Sequence, residues 1–393
     1  MQDAYEQYVL ELVNRARLDP LAEYARLGQA VGPVVTAAQV LASNAPLVAA
    51  AEQHSAFMLS VDLFNHTGIG DGTPVSRAQA NGYSGGFVGE NIAWSGTTGT
   101  INLQSSIDGH HAGLMASTGH RANLLSAGYS EIGLGREIGV FTSGRDWNAS
   151  LLTQVFGDRS GNRLLTGVTY DDSSDNDIYG VGEGRGGISV AVVAGGTTTS
   201  DTAGGYAVQV VAGAVTATIG AVTVKLDFAA DNIKLDLVDG TRVFTSGTMT
   251  LVSGATEGRL LGFGNLTLLG ANADETLVGN RGANRIGGRG GDDLIAGGEG
   301  NDVLTGGRGD DTLDGGAGRD RFVFADGFGQ DMVQGFEDRL DRFDFRSHGA
   351  TGIVDLQISA FGVDAVITDA GGNSITVLGA AGQIGAADFL FLA

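Results

Sequence analysis

Four aspartates recur every nine residues, at Asp293, Asp302, Asp311 and Asp320, each in the sixth position of a glycine-rich unit. The clearest units read GGEGNDVLT, GGRGDDTLD and GGAGRDRFV, in frames that begin at Gly270, Gly279, Gly288, Gly297, Gly306 and Gly315. The eighth position is always apolar: Leu277, Ile286, Ile295, Leu304, Leu313 and Phe322. Gly297, Gly298 and Gly300, and likewise Gly306, Gly307 and Gly309, free the backbone for conformations that other residues adopt only at a cost. If two units complete one right-handed coil, residues 18 apart stack, which lays Asp293 over Asp311 and Asp302 over Asp320. Two carboxylates about 4 Å apart repel by roughly 4 kcal/mol at an effective dielectric near 20. A hard, oxygen-seeking cation with flexible coordination removes that repulsion, with turn carbonyls completing its shell, and Ca²⁺ fits.

The element that must hold these aspartates is a parallel β-roll. The pattern resembles the RTX nonapeptide repeat, a calcium-binding parallel β-helix signature. The first two frames are degraded: Asn284 stands in place of Asp, and Asp274 and Glu275 lie in a frame without the glycine pair. A site with a dissociation constant near 10⁻⁴ M contributes on the order of 1.4 kcal/mol at millimolar calcium, and nothing in calcium-poor cytosol. The resemblance covers about 261–393 and implies type I export through an uncleaved C-terminal signal. The tail DRFVFADGFGQDMVQGFEDRLDRFDF, then ITVLGAAGQIGAADFLFLA, is similar to such signals. The N-terminal MQDAYEQYVLELVNRARLDP has no basic region followed by an apolar one, so no Sec signal is expected.

Upstream, Tyr5, Val9, Leu12, Val13 and Ala16 fall on one helical face behind Asp3, a ready cap. Leu47, Ala50, Ala51, His54 and Met58 make a second stripe, and 117–125 a third helix. The pieces LELVNRARLDP, AEQHSAFMLSVDLFNHTG, GENIAW, STGHRANLLSAGYSEIGLG and LLTQVFG, in that order, resemble the bacterial branch of the CAP superfamily (the SCP/PR-1 fold). The resemblance implies a three-layer α-β-α sandwich whose cleft, in many members, is lined by two His and two Glu able to hold a divalent metal such as Zn²⁺. His66 and Glu90 match two of the four, and His120 and His111 are candidates for the missing imidazole. The second Glu has no counterpart near Ser117. His66 and Glu90 also fit a purely structural reading, and His54 reads as a satisfied core residue.

Between these parts, 188–228 alternates with period two, through Ile188, Val190 and Val192, then Tyr206, Val208 and Val210, then Val222, Val224, Leu226 and Phe228. That reads as a small antiparallel β-sandwich. The acidic stretch GVTYDDSSDNDIYGVGEG opens it and resembles the start of prealbumin-like or Cna-B-like sandwiches. Asp171, Asp172, Asp175, Asp177 and Glu183 there read either as a calcium loop or as a solvated acidic loop.

Bulk composition bounds the function. Sixty-six glycines against 4 prolines favour tight turns over collagen or linker. Net charge −22 disfavours nucleic acid and anionic membrane surfaces, and no apolar run approaches a membrane span. The absence of cysteine excludes disulfides and thiolate zinc. GYSGG at 82–86 lacks the strand–turn–helix context of a nucleophile elbow, and no H-E-x-x-H zinc-protease motif is present. The expected class is multidomain α+β and all-β. The expected divisions are a CAP domain at 1–160, a sandwich at 161–228, a strand-rich connector at 229–268, the roll at 269–324, and a C-terminal cap and secretion-signal region at 325–393. The implied protein is a secreted or cell-surface bacterial one that presents its CAP domain to a lipid, glycan or protein ligand, with the type I secretion machinery as partner. The rival readings are an extracellular hydrolase with a His/Glu metal site and a calcium-dependent adhesin or surface-layer component.

Overall fold

The computed structural model describes residues 3–33, 36–159, 161, 163–229 and 231–392. They fall into two compact units: 1–213 with 228–239, and 214–227 with 240–393.

The first unit begins with helices α1 (Ala4–Leu18), α2 (Pro20–Arg26), α3 (Ala45–Ser60), α4 (Pro74–Ala80), α5 (Leu103–Ala116) and α6 (Thr118–Leu124). Asp3 caps α1 through a capping box with Glu6, and Asn44 caps α3 with Pro46 in its first turn. Four strands, β1 (Ala42–Ser43), β2 (Phe87–Thr97), β3 (Glu131–Thr142) and β4 (Asp146–Asp158), lie in the order β1-β3-β4-β2. β4 is buried on both faces because helices cover both. Leu152 and Phe156 pack with Val9, Val13, Ile107 and Met115 of α1 and α5. Leu151 packs with Met58 of α3, and Val155 with Leu47 and Ala51. This is the expected three-layer α-β-α arrangement. Its tightest seam is α3 on β3, where a methyl group added to Gly133 or Gly135 would overlap the main chain at Leu47 or Ala51.

The same unit carries β5 (Arg163–Tyr170), β6 (Ser189–Val192), β7 (Thr197–Thr199) and β8 (Gly205–Val210). β5 pairs antiparallel with β8 and parallel with the strand Ile233–Val238. The period-two residues are buried as the alternation requires: Val190 and Val192 on β6, Tyr206, Val208 and Val210 on β8.

The second unit is the roll. Its parallel stacking already begins in the stretch read only as strand-rich: Arg242–Thr245 pairs with Glu257–Leu260, and Met249–Ser253 with Thr267–Leu269. From there each strand stacks on the one 18 residues on, Ile286 on Leu304 and Ile295 on Leu313. All six eighth-position side chains are fully buried. The stack also outlasts the repeat: Leu313 lies beside Val333, Phe322 beside Phe343, and Phe343 beside Phe389. Aromatic rings close this end, with Phe336 stacked on Phe343 at 4.9 Å and Phe324 on Phe345 at 5.5 Å.

Candidate functional site

In the roll the sixth-position carboxylates form two ladders, and each uses its two oxygens differently. One oxygen caps the main chain one coil back. Asp293 Oδ1 accepts from Glu275 N (2.9 Å), Asp311 Oδ1 from Asp293 N (2.8 Å), and Asp331 Oδ1 from Asp311 N (3.0 Å). On the opposite edge Asp302 Oδ1 accepts from Asn284 N (2.6 Å), Asp320 Oδ1 from Asp302 N (2.8 Å), and Asp341 Oδ1 from Asp320 N (2.9 Å). The other oxygen, Oδ2 of Asp293, Asp302, Asp311, Asp320 and Asp331, is buried with no hydrogen-bond partner. A buried charged oxygen without a donor is strongly unfavourable unless a cation meets it.

The glycines shape the space around those oxygens. Gly298, Gly300, Gly307 and Gly309 have φ of 105°, 123°, 130° and 131°, in the left-handed region that other residues avoid. A side chain on Gly297 would run into Asp302 Oδ2 and the carbonyl of Gly315, and one on Gly306 into Asp311 Oδ2. Carboxylate and main-chain oxygens therefore converge in a gap that only glycine leaves open. Burial pushes the carboxyls of Asp302 and Asp311 up to about 6 and those of Asp293 and Asp320 to about 7, with neighbouring acids adding to all but Asp302. Asp331, also buried, is pushed up to about 8. This donor set, anionic and carbonyl oxygen without nitrogen or sulfur, suits Ca²⁺.

Asp331 and Asp341 were missed because they lie 20 and 21 residues beyond their ladder neighbours, outside the glycine frame. One trace of the pattern survives: each stands two residues before a buried apolar side chain, Val333 or Phe343.

In the first unit His66, Glu90 and His120 come together, the last from α6. His66 Nδ1 lies 2.8 Å from Glu90 Oε1, with the His66 side chain 45% exposed and that of Glu90 1%. Glu90 Oε2 accepts from the Arg77 guanidinium, which also donates to Asp71 Oδ2 at 2.7 Å. Asp71 Oδ2 in turn meets His54 Nδ1 at 2.8 Å. His120 Nδ1 bonds Ser117 Oγ at 2.9 Å, and burial together with the charge of His66 holds its pKa down. His54 is fully buried as a core residue, and its Nε2, which makes no hydrogen bond, lies 3.7 Å from Glu90 Oε1. His111 lies elsewhere: it is buried, with Nε2 2.8 Å from Glu23 Oε1, in a cluster completed by Arg15 and Arg26.

This donor set does not fit a zinc ion. Arg77 already supplies the positive charge that Glu90 needs, and no three His, Cys, Asp or Glu groups among the described residues surround a metal position. Arg77 and Asp71 carried no family signal in the sequence reading. They belong to the loop and helix after His66, and only the fold shows that they reach Glu90.

In the acidic loop at 171–183 the carboxylates of Asp171, Asp172 and Glu183 find partners close by in the chain. Asp172 accepts from the N–H groups of Asn176 (3.2 Å) and Asp177 (2.8 Å), and Glu183 from those of Ser174 (3.2 Å) and Gly180 (2.7 Å). Asp171 pairs with Arg185 at 3.2 Å, while Asp175 and Asp177 take φ of 54° and 59°.

Family models match both parts of the chain. The model of the RTX calcium-binding nonapeptide repeat matches at 269–304, 287–322 and 297–330. That of the cysteine-rich secretory protein family (CAP) matches 10–146, in a chain without cysteine. Among solved structures, an extracellular Bacillus anthracis protein containing an SCP domain is 22% identical over 39% of this chain and 40% of that one, with a TM-score of 0.28. The chain thus spans well under half of that protein. The R3 subunit of a mannuronan C5-epimerase from Azotobacter vinelandii is 29% identical over 30% of this chain and 78% of that one, with a TM-score of 0.26. An outer surface protein of Borrelia burgdorferi is 17% identical over 40% of this chain and 93% of that one, with a TM-score of 0.28. No curated protein matches the chain.

Proposed function

Starting from a chain that joins a CAP domain at 10–146 to RTX calcium-binding repeats at 269–330, we propose that it is a secreted bacterial protein whose roll is completed by calcium outside the cell. The observation that carries this is the row of five buried, unpartnered carboxylate oxygens from Asp293 to Asp331. Calcium supplies a divalent charge with flexible oxygen coordination. The chain's part is to hold each carboxylate by its other oxygen on the N–H one coil back, so that in the folded roll the free oxygen is fixed beside a glycine carbonyl. Cytosolic calcium leaves the acids uncompensated, and extracellular calcium compensates them. Export in a loosely folded state through the type I machinery follows from that difference. No helix among the described residues is long and apolar enough to cross a membrane.

In this reading the CAP domain is a binding module for a lipid, glycan or protein. The deciding experiment is circular dichroism of the full chain, chelated and then titrated with Ca²⁺. A rise in β-signal and melting temperature is expected, and a flat titration sinks the proposal.

A second reading, hydrolysis in the cleft, has one observation in its favour. His66 is half exposed with one ring nitrogen on a buried carboxylate, the arrangement that orients a general base. It needs no metal. Turnover of ester or peptide substrates that survives His66→Ala would remove it.

A further inference from the structure

Glu275 and Asn284 occupy the sixth position of the first two frames, one coil before Asp293 and Asp302. No buried oxygen is left unpartnered at either of them, whereas one is at each of the next four frames. Asn284 closes its own gap. Its Oδ1 accepts from Asn280 N at 2.8 Å, and its Nδ2 donates to Gly264 O at 3.2 Å and Asn280 Oδ1 at 3.0 Å. On the other edge Glu275 Oε2 accepts from Ala271 N at 3.1 Å and faces the charge of Arg289.

Arg289 is the anomaly. It fills the second position of its frame, where Gly298, Gly307 and Gly316 stand in the next three. All four backbones are left-handed, with φ of 81° at Arg289 and 105°, 130° and 84° at the glycines. An L side chain is strained there and glycine is not. What the strained residue adds is a guanidinium whose Nη1 donates to the carbonyl of Gly270 at 2.8 Å, the first-position carbonyl one coil back. The guanidinium thus bonds a turn carbonyl and acts on the charge of Glu275, the two kinds of oxygen that converge in the frames that follow.

Resting on the calcium reading above, we propose that the Arg289 guanidinium and the Asn284 carboxamide are the chain's own substitutes for calcium in the first coil. The metal columns accordingly start at Asp293 and Asp302, and the coil before them is closed without metal. The far end of one column is closed in the same manner, because Asp341 Oδ2 accepts from Glu337 N at 2.8 Å. The first coil then offers a formed surface on which the first metal-dependent coil stacks.

The test is calcium stoichiometry of the full-length chain by isothermal titration, with metal analysis of the saturated protein as a check. Arg289→Gly restores the glycine pair, and Asn284→Asp restores the acid. Each is expected to bind one more Ca²⁺ per chain than wild type. Arg289→Lys, which keeps a charge, is expected to bind the wild-type amount. Unchanged stoichiometry in either glycine or aspartate variant, with its dichroism intact, overturns the proposal, as does a gain in the lysine variant. If the wild-type chain itself binds no calcium, the underlying calcium reading fails instead.

Discussion

At Asp311 the roll's dependence on conditions reduces to one side chain. Its Oδ1 is fixed by Asp293 N while its Oδ2 is buried and unpartnered. Asn at this position keeps the accepting oxygen and removes the charge, so its effect should change sign with the metal. In millimolar calcium, Asp311→Asn is expected to cost about 1–2 kcal/mol through weakened binding. In chelator at pH 7.5 it should instead stabilise by roughly 1 kcal/mol, because a neutral amide avoids the cost of burying an ionised carboxylate. Urea midpoints followed by dichroism read both, and the same sign in the two buffers contradicts the assigned role. The same residues set the pH response. The carboxyls of Asp293, Asp302, Asp311, Asp320 and Asp331 rise from about 4 to between about 6 and 8 on folding without metal. A raised folded-state pKa favours the protonated form, so its stabilisation is complete below the unfolded value and is lost as pH climbs through the folded one. The chelated roll should therefore melt higher at pH 5 than at pH 8, and calcium should reverse that order by preferring the ionised form.

At the level of elements, two glycines in different surroundings make opposite predictions. A methyl group at Gly133 would overlap the main chain of Leu47, which cannot give way without moving the helix. Gly133→Ala should lower stability by about 1–3 kcal/mol. Gly119 lies in α6 with nothing near the added carbon, and Gly119→Ala should raise stability by about 0.4–1 kcal/mol. Thermal melts of the two variants should move apart, and a neutral Gly133→Ala would show that the seam is looser than drawn. The sequence displayed some elements and hid others for physical reasons. α1 and α3 were legible because each carries an apolar stripe behind a capping residue. α5 was not, since in LQSSIDGHHAGLMA the buried stripe of Ile107, Leu114 and Met115 is interrupted by two buried histidines, His110 and His111, and flanked by glycines and polar residues. The last four frames announced themselves through aspartate phase, and the two degraded ones before them through the apolar eighth position. The coils over 242–269 and 330–390 keep the apolar strand residues but lose the glycines, and only pairing reveals them. In the first unit, His66 and Glu90 were visible as motif residues. The Arg77 that neutralises Glu90 was not, because ion pairing across a loop leaves no spacing to read.

For the whole molecule, the two units should answer calcium differently, and the chain carries its own reporter. Both tryptophans, Trp94 and Trp147, belong to the first unit, whereas Asp293, Asp302, Asp311, Asp320 and Asp331 all belong to the second. Trp94 packs beside Phe141 at 5.1 Å, and Trp147 lies under the Arg145 guanidinium at 3.8 Å. Indole emission therefore follows the packing of the α-β-α layers, while far-ultraviolet dichroism is dominated by the strands of both units. The first unit owes its core to apolar side chains such as Leu152, Phe156 and Val13, which need no ion. The second contains acids that are buried at a loss until a cation arrives. Chelation should then remove a large part of the β-signal while leaving tryptophan emission within a few nanometres of its starting maximum. Calcium should restore the dichroism without moving the emission. A red shift toward solvent-exposed indole on chelation would mean that the α-β-α unit also depends on the metal, and the division of labour drawn from the acid ladders would have to be given up.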